Sequence, residues 1–141
     1  IIFPAWFRKS FLYKMNNKIT SNYIPFLNPH AKVLYDEYII AFKNKMWASV
    51  IILSLTIIDN IIMDERSLNY IDGLDLNDFK RSKDLKWLRI RRNQILHYEG
   101  PIEGFYGSND SKNALKEDAK KAMKIIDTGL GKLFIRTSNF I

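Results

Sequence analysis

Within Arg92-Asn93-Gln94-Ile95-Leu96-His97 a guanidinium, an amide and an imidazole fall on neighbouring turns of one predicted helix. These groups suit anion binding and proton transfer. Projected at about 100° per residue, Asn93 and His97 share a face, and Arg89 falls between Arg92 and Asn93. Arg92 falls at the middle of an apolar arc formed by Leu85, Leu88, Ile95 and Leu96. An arginine there must pair with a buried acid, snorkel outward or line a cleft, because an unpaired buried guanidinium costs on the order of several kcal/mol. Asp59, which interrupts an apolar run earlier in the chain, is the nearest candidate to pair with Arg92; a solvated place at a helix end would suit it equally. Spacing alone is weak evidence, since seven arginines and two histidines give an Arg-x4-His match in about one chain in ten by chance. A histidine near a helix C-terminus also serves as a cap, favoured there by the helix dipole.

Composition removes several competing chemistries. The chain has no cysteine, which excludes disulfides, thiolate nucleophiles and zinc-cysteine sites and fits a cytoplasmic location. Its two histidines, His30 and His97, are far apart and carry no HExxH-type spacing, so neither a metal centre nor a cofactor is expected. The formal net charge of +7 favours an anionic partner: nucleic acid, an acidic protein or a membrane surface. Lys80, Arg81, Lys83, Lys86, Arg89, Arg91 and Arg92 form a basic stripe opposed only by Asp84. Such a stripe follows a phosphate backbone or is simply a solvated helix face. Trp87, Tyr98, Phe105 and Tyr106 are candidates to stack on unpaired bases, or are core and interface residues.

The elements that must position these residues read as helices of one domain, the size expected of 141 residues with 47% apolar content. Residues 1–27 read as an N-terminal extension with a short helix near residues 4–15, and Arg8, Lys9 and Lys14 interrupt its apolar residues, so it does not read as a signal peptide. Residues 28–141 form the helical domain. Asn28-Pro29 starts a helix running to about Phe42, with Asn as cap and Pro in the first turn. Lys43-Asn44-Lys45 breaks it, and an almost wholly apolar helix then runs from Met46 to Ile58. That run is short of the roughly 20 apolar residues of a membrane span, so a buried central helix is expected and no membrane partner. Ser49, Thr56, Asp59 and Asn60 form a polar edge on it. Residues 64–82, with Asp72-Gly73, read as a connector holding at most one short turn of helix. The third helix spans about Lys83 to Tyr98 and is stopped by Gly100-Pro101. After a glycine-rich loop, a last helix begins near Asn109 to Ser111 and runs to about Phe134, with Leu115, Ala119, Ala122, Met123, Ile126, Leu130 and Leu133 on its inner side. The fold class is an all-α bundle of four to five helices.

The run Leu88-Arg89-Ile90-Arg91-Arg92-Asn93-Gln94-Ile95-Leu96-His97 resembles the signature of HEPN-superfamily domains, an Arg followed by a polar residue, often Asn, with His five positions after the Arg. The motif's place late on a helix, the glycine-rich stop, the long apolar helix before it and the amphipathic helix after it agree with that family over about residues 30–135. The resemblance implies a HEPN-like bundle and a metal-independent endoribonuclease, of a toxin, defence or RNA-processing kind, with two motifs meeting across a homodimer. On that basis His97 serves as general acid–base, Arg92 holds the phosphate, and Asn93 orients the imidazole or the substrate. Arg89, Arg91, Lys86 and Tyr98 are expected to contact RNA, and Asp59 to support Arg92. Attack by the 2′-hydroxyl would leave a 2′,3′-cyclic phosphate and a 5′-hydroxyl. An antitoxin or regulatory protein is a further implied partner. One HEPN toxin group carries a Tyr two positions after the His; here that position is Glu99 and the Tyr is Tyr98, so the chain departs from that group. The alternative within the family is a non-catalytic module for RNA or nucleotide binding or for dimerisation. Outside it, the motif is accidental in a structural interaction protein.

Overall fold

The apolar run after Lys45 becomes the axis of the molecule. The computed structural model describes residues 19–97 and 109–138. A 3-10 helix (Ile19–Phe26) precedes α1 (Pro29–Lys43), α2 (Trp47–Met63), α3 (Glu65–Leu68), α4 (Gly73–Lys80), α5 (Lys83–His97) and α6 (Asn109–Ser138). The described residues hold no strand, and the fold is an all-α bundle. Helices α1, α5 and α6 all pack on α2, which is why Val50, Ile51, Leu55, Ile57, Ile58 and Ile61 lose all contact with solvent. Burial of each such side chain contributes roughly 1.5–3 kcal/mol. Three polar side chains of this helix bond within it: Ser54 donates to the Val50 carbonyl at 2.6 Å, Thr56 to that of Ile52 at 2.8 Å and Asn60 to that of Thr56 at 2.9 Å. No described helix is long and apolar enough to cross a membrane.

Caps set the boundaries. The Asn28 side chain accepts from the Ala31 N–H at 2.7 Å with Pro29 in the first turn, as the sequence predicts. At the other end of α1 the Met46 N–H bonds the Ala41 carbonyl (2.8 Å) and the Lys45 N–H bonds that of Phe42 (3.1 Å), a Schellman closure. It places Lys45 at φ 58°, in the left-handed region usually given to glycine.

Two features differ from expectation. The connector 64–82 contains two helices, because Asp64 and Asp72 are N-caps: Asp64 accepts from the Arg66 N–H at 3.1 Å, and Asp72 from those of Leu74 and Asp75 at 2.8 and 3.2 Å. Helix α4 buries no residue fully, so it leaves no strong apolar period to read. It is held instead by the Phe79 ring, which lies so close over Gly129 of α6 that a Cβ there would stand 2.5 Å from Phe79 Cε1. The core also extends before residue 28. Tyr23 is fully buried and donates to Asp127 Oδ1 at 3.1 Å, and Phe26 stacks on Phe134 with centroids 4.8 Å apart. Burial, reinforced by the Asp127 carboxylate, pushes the Tyr23 hydroxyl well above its usual pKa. The helix expected near residues 4–15 lies outside the described residues. The last helix begins at Asn109 as expected and continues past Phe134 to Ser138.

Candidate functional site on helix α5

Helix α5 starts where the Ser82 hydroxyl accepts from the Leu85 N–H at 3.2 Å. Its inner face is Leu85, Leu88 and, partly buried, Trp87 and Ile95; Leu96 is 49% exposed. With Trp87 in place of Leu96, the centre of the apolar face turns by about 40° from the arc projected above. Arg91 and Arg92 then flank that face, and the two have opposite surroundings.

Arg91 is the enclosed one, 6% exposed, with Nε donating to Asp118 Oδ2 of α6 at 2.7 Å and Nη1 to Gln94 Oε1 at 3.5 Å. The expectation that Arg92 faces the core is therefore corrected to Arg91. Arg92 is partly buried, and its Nε donates to Asn93 Oδ1 at 2.9 Å. Residues adjacent in a helix do not ordinarily face each other; here the long arginine stem bends back over its neighbour. Among the described residues Arg92 makes no ion pair.

The expected support of Arg92 by Asp59 is also corrected. Asp59, on the polar edge of α2, takes both terminal nitrogens of Arg89 at 2.8 and 3.4 Å. This bidentate pair neutralises Arg89 and fastens α5 to α2.

His97 is the last residue of α5 and exposed; Lys86 is exposed as well, and Asn93 is partly buried. Together with the exposed Ile90 (49%) and Leu96 they make up the outward half of the helix. Thus Arg92 and Asn93 are in contact, and His97 shares the face of Asn93 one turn on. Tyr98, Phe105 and Tyr106 lie outside the described residues. Trp87 is packed against the core with the Lys121 ammonium 4.1 Å from its ring centroid, so it is not an open stacking platform.

Asp118 is the partner that sequence reasoning missed. Its signal was its place beside Leu115 and Ala119 on the inner stripe of the last helix, where a carboxylate calls for a buried cation. Among the described residues no group of three or more His, Cys, Asp or Glu side chains is placed to hold a metal ion. No family model matches the chain, and neither a curated protein nor a solved structure matches it. The HEPN resemblance accordingly stands on the motif and the helix order alone.

Proposed function

We propose that the chain is a metal-independent endoribonuclease of the HEPN kind, acting as a homodimer with Arg92, Asn93 and His97 at the composite site. The observation that carries this reading is the division of labour among the three arginines. Among the described residues Arg89 and Arg91 are paired with Asp59 and Asp118, whereas Arg92 has no ion pair and is steadied by Asn93. No ion pair among the described residues takes its terminal nitrogens, which leaves them for an anion, and the exposed His97 shares the face of the Asn93 that Arg92 bonds.

RNA carries its own nucleophile in the 2′-hydroxyl, so cleavage asks of the protein only a cation at the phosphate and groups to move protons. His97 can take the 2′-hydroxyl proton or supply one to the departing 5′-oxygen. Arg92 offsets charge on the pentacoordinate phosphorus as a planar, permanently charged fork. Asn93 then acts as a positioning residue for the guanidinium. One motif holds one histidine, and a second subunit is the simplest source of the other proton-transfer group. Ile90 and Leu96, exposed on either side of Asn93 in projection, suit a helix-to-helix contact between two copies.

The test is cleavage of mixed RNA by the parent, Arg92→Ala and His97→Ala proteins, with RNA binding measured alongside. Loss of at least a hundredfold in rate in both variants, with binding by the His97 variant nearly unchanged, is expected. Equal cleavage by parent and variants, or binding without cleavage by all three, would contradict it; the latter is the behaviour of a non-catalytic RNA-binding module.

A further inference from the structure

A cleft of about 800 Å³ lies between α4 and α6, closed at one end by the start of α5. Its floor is Phe79, Ile125 and Leu133, with the Phe79 ring seated on Gly129. One wall carries the exposed Lys124 and Lys132 with Lys121, whose ammonium also lies 4.1 Å from the Trp87 ring centroid; the other carries the exposed carboxylates of Asp75 and Asp78, with Asp84 at the closed end. None of these six is in an ion pair among the described residues. The cleft therefore holds groups of opposite charge on its two sides, without an ion pair among the described residues, across an apolar floor.

We propose that this cleft docks a polypeptide segment of a partner protein, with acidic side chains along one edge and basic side chains along the other. The three lysines lie over 11 helical steps, or about 16 Å at 1.5 Å per step, which is the length of a peptide rather than of a small zwitterion. A nucleic acid would meet the three carboxylates with its phosphates and is disfavoured. A purely acidic segment would satisfy only the lysine wall, and a purely basic one only the aspartate wall. Charge complementarity on both walls at once selects the mixed-charge segment, and an apolar side chain between its edges would cover Phe79 and Ile125. The surface does not depend on the ribonuclease assignment. On α5 it meets only Asp84 and the cap residue Ser82, at the end of the helix opposite His97.

Isotope-labelled protein can be titrated with three synthetic helix-forming peptides of about fourteen residues sharing one leucine row. The first has Glu on one edge and Lys on the other, the second has only Glu, and the third only Lys. The mixed peptide is expected to bind at least tenfold more tightly than either control and to shift amide signals of residues 75–84 and 121–133. The double variant K124E/K132E, at exposed positions whose melting temperature should be unchanged, should weaken it at least tenfold. Equal binding of the three peptides, signals unmoved at the cleft, or an RNA oligonucleotide shifting those signals in place of the mixed peptide would overturn the proposal.

Discussion

Arg91 and Arg92 are consecutive and chemically identical, yet among the described residues one is ion-paired and the other is not. The difference comes from α6: Asp118 lies within 2.7 Å of the Arg91 Nε, and a partner on a distant element cannot be read from one helix. The Arg-x4-His spacing, the Asn93–His97 face and the polar character of the site were all legible, since they depend only on the helical period. The pairing of Asp59 was not, because whether Arg89 or Arg92 meets it depends on how α5 is set against α2, which the period of one helix does not give. Removing Asp118 would leave the nearly buried Arg91 guanidinium without its carboxylate. Asp118→Ala is therefore expected to lower unfolding free energy by about 1–3 kcal/mol in urea titrations. Arg91→Met, which exchanges the cation for an apolar chain and leaves a part-exposed carboxylate to water, should cost less. Equal losses in the two variants would place the importance of the pair in Asp118 and Arg91 alike rather than in the stranded charge.

At the scale of elements, α1, α2, α5 and α6 follow from signals that are local and strong: the Asn28-Pro29 start, the unbroken apolar run of α2, the inner stripe of α6. Helices α3 and α4 are short and expose most of their surface, so the caps Asp64 and Asp72 were their only sequence marks. Asp64 does more than cap. Its carboxylate also accepts from Asn28 Nδ2 at 3.0 Å and the Ser67 hydroxyl at 3.2 Å, joining the start of α1 to the α2–α3 corner. The Asn28 amide first, with the Arg66 N–H and Ser67, holds it below its usual value of 3.8. A carboxylate with a lowered folded pKa contributes stability that is present above the unfolded value and is lost as pH falls through the folded one. The melting-temperature gap between the parent and Asp64→Ala should accordingly be constant above about pH 5 and narrow as pH is taken below 3.8. A gap that widened on acidification would contradict the assignment. Lys45 gives a change of the opposite sense: with φ 58° and no side chain needed for the Schellman closure, Lys45→Gly should stabilise the protein by about 1 kcal/mol in the same titrations.

At the scale of the whole molecule, the bundle turns one half of α5 outward, and there Ile90 and Leu96 stay exposed while the core around α2 is closed. An assembly that covers those two side chains would bring two Arg92–His97 sets together. Leu96→Asp should then shift a dimer to monomer in sedimentation equilibrium and reduce cleavage at least tenfold, without lowering the melting temperature of the monomer, because Leu96 is not part of the core. A dimer unaffected by the substitution would place the interface elsewhere.

The most direct measurement is the chemistry of the RNA ends left by purified protein in EDTA, with His97→Ala in parallel. Cyclic 2′,3′-phosphate and 5′-hydroxyl ends from the parent, and none from the variant, are the expected result. Cleavage that EDTA abolishes, 5′-phosphate ends, or the same ends from the His97→Ala protein would contradict a metal-independent reaction carried by Arg92 and His97.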